Sequence, residues 1–266
     1  ESVAYSIRDG VFPIRLEPYY PFGYGYANGI FYCDLSLYIP AILRLLGFTV
    51  QSSFNIFGIT CIFAGVIVTY ICFKKIFKNA YIAVLGTALY NLASYHAFDA
   101  VVRGGVGFLV AGIFLLYGYY RLFSEDSSKS EYKTVWIPIT IGYSGIICSH
   151  ILSFEFAAFW TFVILVTFIF KVFKRKTFLE LLKALGAFIA LNCWFIVPFL
   201  DYYTNEDISI KNASARLIQS NGLVMGNFFS MPLDITELTD DTLRISYLIF
   251  NPVVAILLVI FLILWI

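Results

Sequence analysis

Charge is scarce in this chain. Asp, Glu, Lys and Arg make up 13% of it, against about 25% in a typical water-soluble domain, whose surface must face water. Histidine and methionine occur only twice each. A Cys/His zinc site needs about four clustered ligands. The five cysteines (Cys33, Cys61, Cys72, Cys148, Cys193) are scattered, form no CxxC pair and read as packing residues. No metal site is therefore expected from side-chain clusters. The net charge of +1 offers no basic stripe, so nucleic acid is not expected as a partner. No nucleotide-binding loop is present either. Gly23-Tyr24-Gly25 and Gly104-Gly105-Val106-Gly107 lack the strand, helix and lysine that a phosphate loop requires, and both read as tight turns. No GxSxG elbow or HExxH pair occurs.

What the chain has in abundance is apolar surface. It is 60% hydrophobic and 19% aromatic, with a mean hydropathy of +0.83. A helix needs about 20 apolar residues to cross a bilayer. The runs 52–73, 80–96, 104–120, 134–150, 153–170, 184–200 and 246–266 approach or meet that length. The expected fold is therefore all-α, a single polytopic transmembrane helical bundle over 1–266 with about seven spans. Residues 1–51 and 201–245 form two long polar loops. The chain begins with Glu1 and stops inside an apolar run, so a truncation at both ends, with a helix before residue 1, is expected.

Orientation follows from lysine and arginine, which accumulate on the cytoplasmic side. The connectors 74–79, 121–133 and 171–183 hold 11 of the 18 basic residues. Placing them in the cytoplasm makes all seven spans alternate and puts 13 of the 17 acidic residues outside. The expected location is the cell membrane, multi-pass, with loops 1–51 and 201–245 extracytoplasmic. Segment 30–47 is apolar but carries Asp34, Pro40 and Arg44. It reads as a helix lying at the outer interface, where Tyr32 and Tyr38 suit the headgroup region. Gly47 ends it, and Thr49 to Ser53 lead into the first span.

The stretch from Phe22 to Gly47 (FGYGYANGIFYCDLSLYIPAILRLLG) resembles the bacterial YfhO-like polytopic membrane proteins, often labelled "6-pyruvoyl-tetrahydropterin synthase-related". Weaker matches are Tyr90–Tyr95, Arg103 with Gly107, and Ser149–Ser153. That family is similar to the GT-C class of membrane glycosyltransferases. The resemblance implies a large first outer loop with interfacial helices, a polyprenyl-phosphate-linked sugar as donor, and an acidic residue of that loop as catalytic base. It also implies a role in modifying cell-envelope glycans on the extracytoplasmic face. Relatives tend to carry Glu after the glycine that corresponds to Gly107; here Phe108 follows, which admits an inactive copy. The soluble pterin synthase of the label binds zinc through three histidines, and two cannot supply that.

A carboxylate is the natural base for an acceptor hydroxyl, and arginine is suited to a lipid phosphate because its planar fork donates two bonds. Asp34, set among Phe31, Tyr32, Leu35 and Leu37, leads the catalytic candidates, with Asp9 and Glu17 beside it. The plain alternatives are a structural pair of Asp34 with Arg44 or Arg103, and simple solvation of Asp9 and Glu17. Arg103, after His96 and Asp99, is the candidate phosphate ligand; its alternative is snorkelling to the headgroups. His150 and Glu155, at a tight outer turn, form either a substrate-facing pair or a hydrogen-bonded helix end with Ser149 and Ser153. No organic cofactor is expected, and a divalent metal stays open. Membrane lipid and the sugar-bearing polyprenyl phosphate are the expected partners. A transporter or flippase for a lipid or polymer precursor is the alternative function, and a non-catalytic envelope scaffold is the third.

Overall fold

The computed structural model describes residues 1–19, 23–33, 35–93 and 107–206, the side chains of 107–109 excepted. Among them the chain is helical and contains no strand; one isolated antiparallel bridge joins Glu17 to Tyr26. Three short helices lie in the first loop: α1 (Ser2–Arg8), α2 (Asn28–Phe31) and α3 (Tyr38–Leu45). The longer helices follow as α4 (Val50–Phe77), α5 (Ala80–Asn91), α6 (Gly107–Ser124), α7 (Trp136–Ile147), α8 (Ile151–Thr167), the single turn α9 (Ile169–Val172) and α10 (Arg175–Asn205).

Two of these, α4 with 28 residues and α10 with 31, are long and apolar enough to cross a membrane by length and composition. At 1.5 Å per residue they run about 42 and 46 Å, beyond the roughly 30 Å of a hydrocarbon core. The seven expected spans map onto the helices unevenly. Helices α5, α7 and α8 have 12, 12 and 17 residues, short of the usual 20. Helix α8 breaks at Phe168 (φ −105°, ψ 28°), where the preceding Thr167 returns its hydroxyl to the Val163 carbonyl. Helix α10 begins nine residues before the expected 184, because Thr177, Glu180 and Ala184 face inward on its first turns. The last expected span, 246–266, lies outside the described residues.

Local rules account for the ends. Thr49 caps α4 by accepting from the Ser52 N–H at 3.1 Å, and Asn79 caps α5 by accepting from Tyr81 and Ile82. Lys78, in the left-handed region at φ 54°, stops α4. Pro40 sits in the first turn of α3, where its missing N–H leaves no intrahelical bond unmade. The interfacial helix expected over 30–47 is broken: α2 ends in the extended residue Tyr32, a 3₁₀ turn covers Leu35–Leu37, and only then does α3 start. Gly47 ends it as expected, at φ +102°.

The core lies where α6 and α7 pack. Ala111, Leu115, Tyr119 and Leu122 of α6 meet Ile139 and Ile146 of α7, with Val135 fully buried between them. Glycine sets the spacing. A Cβ on Gly142 would stand 2.7 Å from the Leu115 backbone nitrogen. Asn192, buried in α10, ties that helix to α7: its Nδ2 donates to Ser144 Oγ at 2.8 Å and its Oδ1 accepts from Cys148. Asn side chains placed between helices hydrogen-bond across them in this way.

The two ends of the bundle differ. At one, the three Lys/Arg-rich connectors meet. Lys171 donates to the Phe123 carbonyl, Lys176 to the Ser127 carbonyl, and Tyr132 bonds Thr177. Lys75 lies over the Tyr117 ring, one turn from Arg121. At the other end, Cys33 of the first loop packs on Ile147, Cys148 and Phe195. Between them the outward surface is apolar: Phe63 is 65% exposed, Phe156 69% and Val197 62%.

The α6–α7 contact predicts a contrast between two glycines. Gly142→Leu should cost about 1–3 kcal/mol or more through overpacking, lowering the thermal midpoint in detergent. Gly186→Leu, with nothing within 4 Å of its Cβ position, should leave that midpoint in place.

Candidate functional site

The first loop folds on itself before it meets the bundle. Val3 and Ala4 of α1, the loop residue Ile14, and Ala41 of α3 form a small buried cluster, and the Ile14 N–H donates to the Tyr38 hydroxyl at 2.9 Å. The Phe12–Pro13 peptide is cis. Gly29 lets α2 lie against this turn: a Cβ there would fall 2.0 Å from the Ile14 carbonyl oxygen, so no other residue fits. Gly23 and Gly25 both take positive φ, +87° and +84°, and act as the turns expected of them beside the Glu17–Tyr26 bridge. The second glycine run, 104–107, lies largely outside the described residues.

On this scaffold the polar groups fall into two sets. In the first, Glu1 accepts from the Tyr5 hydroxyl at 2.7 Å and from Arg44 Nη2 at 3.0 Å. The hydroxyl, and then the guanidinium, hold the Glu1 carboxyl below its ordinary value; the same bond pushes the Tyr5 phenol up. Asp9 closes α1, beside Arg8 at 3.6 Å, and accepts from the Tyr19 hydroxyl, whose pKa that bond raises. In the second set, His150 is the N-cap of α8: its Nδ1 accepts from the Ser153 N–H at 3.1 Å and meets the Ser153 hydroxyl at 2.9 Å. The Tyr32 ring stands edge-on to the imidazole, centroids 5.9 Å apart. Tyr32 thus brings the first loop onto the turn between α7 and α8.

The structure places four of the eight site residues expected from sequence. Asp9 is exposed and engaged by tyrosine. Glu17 is half-buried; its backbone pairs with Tyr26, while its carboxylate makes no hydrogen bond among the described residues. His150 adopts the hydrogen-bonded helix-end arrangement with Ser153, whereas Ser149 turns away to the Gly145 carbonyl at 2.6 Å. Glu155 is exposed on α8, with no ion pair among the described residues. Asp34, His96, Asp99 and Arg103 lie outside the described residues. Arg44, considered as a partner for Asp34, pairs with Glu1. Tyr5, Tyr19 and Tyr32 were absent from the expected site. A signal was available for Tyr5, four residues after Glu1 on a helix, but none for Tyr19 or Tyr32, whose contacts are made by loop folding.

Among the described residues no group of three His, Cys, Asp or Glu side chains is arranged to hold a metal ion. None of the five cysteines forms a disulfide; Cys33, Cys72 and Cys148 are buried, Cys61 is half-buried, and Cys193 is exposed. No protein-family model, curated protein or solved structure matches the chain.

Glu1 ionises more readily in the fold than in the unfolded chain. Its contribution is therefore in place above the ordinary carboxylate range and is lost as pH falls through the lowered folded value. A carbon-13 NMR titration of the Glu1 carboxyl should show a midpoint below the ordinary value. Tyr5→Phe should move it upward, and by more than Arg44→Gln does. An ordinary midpoint in the unsubstituted protein would dismiss the contact.

Proposed function

We propose that this chain is the membrane-embedded part of a GT-C-like glycosyltransferase that takes its sugar from a polyprenyl phosphate and modifies cell-envelope glycans on the extracytoplasmic face. The observation that carries the reading is the segregation of the two ends. The basic connectors gather at one end of the bundle, through Lys171, Lys176 and the Lys75–Tyr117 contact. The first loop docks at the other, through Cys33 and Tyr32. Lysine-rich ends stay in the cytoplasm, which leaves the loop outside, where a lipid-linked sugar is used.

The membrane reading is further supported by α4 and α10, by the exposed apolar girdle, and by buried amide and hydroxyl groups that bond between helices. A water-soluble protein seldom leaves so much contiguous apolar surface open. In this reading the shorter helices α5, α7 and α8 count as spans together with their flanking turns, giving the polytopic, roughly seven-span bundle. The family resemblance of 22–47 supplies the reaction class, and shared architecture alone would not.

In this chemistry Asp34 is the proposed base. It removes the acceptor hydroxyl proton as that oxygen attacks the anomeric carbon and the polyprenyl phosphate departs with the bonding electrons. Arg103, which follows His96 and Asp99 in the sequence, is the proposed holder of the departing phosphate. His150 and Glu155, at the start of α8, are proposed to contact the substrate.

In the full-length protein, Asp34→Asn should lower sugar transfer from the lipid donor about a hundredfold or more, the usual worth of a positioned base, with the protein still at its normal membrane level. Envelope glycans unchanged after Asp34, Asp9 and Glu17 are all neutralised would sink the enzyme reading. Movement of the lipid precursor across vesicles without covalent change would favour transport instead.

A further inference from the structure

At the basic end of the bundle, on the side away from the first loop, helices α4, α6 and α7 leave a cleft of about 320 Å³. Its walls are apolar, with Ile71 of α4, Phe114 of α6 and Ile141 of α7 among them. Ile71 and Ile141 are close to half exposed, so the cleft opens sideways, onto the face that carries the exposed apolar residues. Its mouth is cationic. Lys75 and Arg121 approach the same Tyr117 ring from two helices, at 5.5 and 5.9 Å from its centroid.

The two cations are differently committed. Arg121 is fixed: Nε and Nη2 bind both oxygens of Glu125 at 2.8 and 3.1 Å, and Nη2 also donates to the Glu131 carbonyl and Thr134. None of these bonds uses Nη1. Lys75 has no ion pair among the described residues; its ammonium rests on the ring face. A lysine held by an aromatic ring beside an oriented guanidinium has donors left for an anion. The apolar cleft running inward from it fits hydrocarbon.

We propose that this cleft binds one anionic phospholipid, its phosphate held by Lys75 and the Nη1 edge of Arg121 and an acyl chain lying between Ile71, Phe114 and Ile141. Charge complementarity selects the lipid: the mouth presents two cations, one neutralised by Glu125, to a single negative headgroup. Basic pockets between membrane helices on the cytoplasmic side take such headgroups. The site lies at the opposite end from the proposed sugar-transfer site and does not depend on catalysis.

Native mass spectrometry of the full chain in detergent, given equal phosphatidylglycerol and phosphatidylcholine, tests this directly. One phosphatidylglycerol should be retained in preference. Lys75→Gln should weaken that retention about fivefold, the share of one basic residue near an anionic surface. Lys133→Gln, which removes an equal charge from the same end but not from the cleft, should change it little. Ile71→Trp, a partly exposed site that tolerates bulk, should fill the cleft and abolish retention while the thermal midpoint stays in place. Equal retention of both lipids, or equal effects of Lys75→Gln and Lys133→Gln, would overturn the proposal, as would retention undisturbed by Ile71→Trp.

Discussion

Helices α6 and α7 pack too closely for a side chain at two contact points, because Gly142 presents none to Leu115 and Gly118 none to Ile139. The other long helices build outward from this pair, with α5 and the first loop's α3 packed on α4. Helix α4 packs on the face of α6 that α7 leaves free, and α10 packs on α7. Hydroxyls cross the remaining gaps: Tyr119 bonds Thr161 of α8, and Thr140 of α7 donates to the Ala184 carbonyl of α10. Where the surroundings are apolar, close packing and these few bonds must hold helices together, since burying more apolar surface gains little against lipid. The exposed faces of α4, α8 and α10 are left apolar, and those faces are what the membrane reading explains.

The same arrangement separates two chemistries. The connector 121–133 is a built structure: Arg121 and Tyr132 close it internally, and Asp126 accepts from the Ser128 N–H, which holds its carboxyl below the ordinary value. Lysines of 171–176 tie it to the start of α10. At the far end the first loop carries its own small core and exposes Asp9 and the Glu1–Arg44 pair. A single α7–α8 turn, capped by His150, receives that loop through Tyr32.

Much of this order was legible from sequence, because it follows from apolar length and from lysine position. The expected spans 52–73 and 104–120 fall within a few residues of α4 and α6, and the glycine turns at 23 and 25 took the backbone expected of them. Other features depend on contacts between distant segments, which a single sequence does not display. The break of 30–47 into three short elements follows from docking on α1 and on the α7–α8 turn. The early start of α10 follows from Glu180 being buried beside Lys183 at 2.5 Å, whereas its charge alone assigned it to a solvated connector. Arg44 meets Glu1, 43 residues away in the chain, while Asp34, its expected alternative partner, lies outside the described residues. Asp34, His96, Asp99 and Arg103 fall outside the described residues, so their part in the site rests on sequence.

The proposed topology puts the first loop and the basic connectors on opposite sides of one membrane. Tyr24, 90% exposed in the loop, and Ser128, exposed in the connector, are the positions to probe; Cys33 is buried and would not report. In the full-length protein with its own cysteines replaced, Tyr24→Cys and Ser128→Cys are each treated with a membrane-impermeant thiol reagent on intact protoplasts and again after lysis. Position 24 should label in intact cells and position 128 only after lysis. Labelling of both positions from the same side would contradict this topology, and the reverse pattern would contradict the extracytoplasmic placement of the loop.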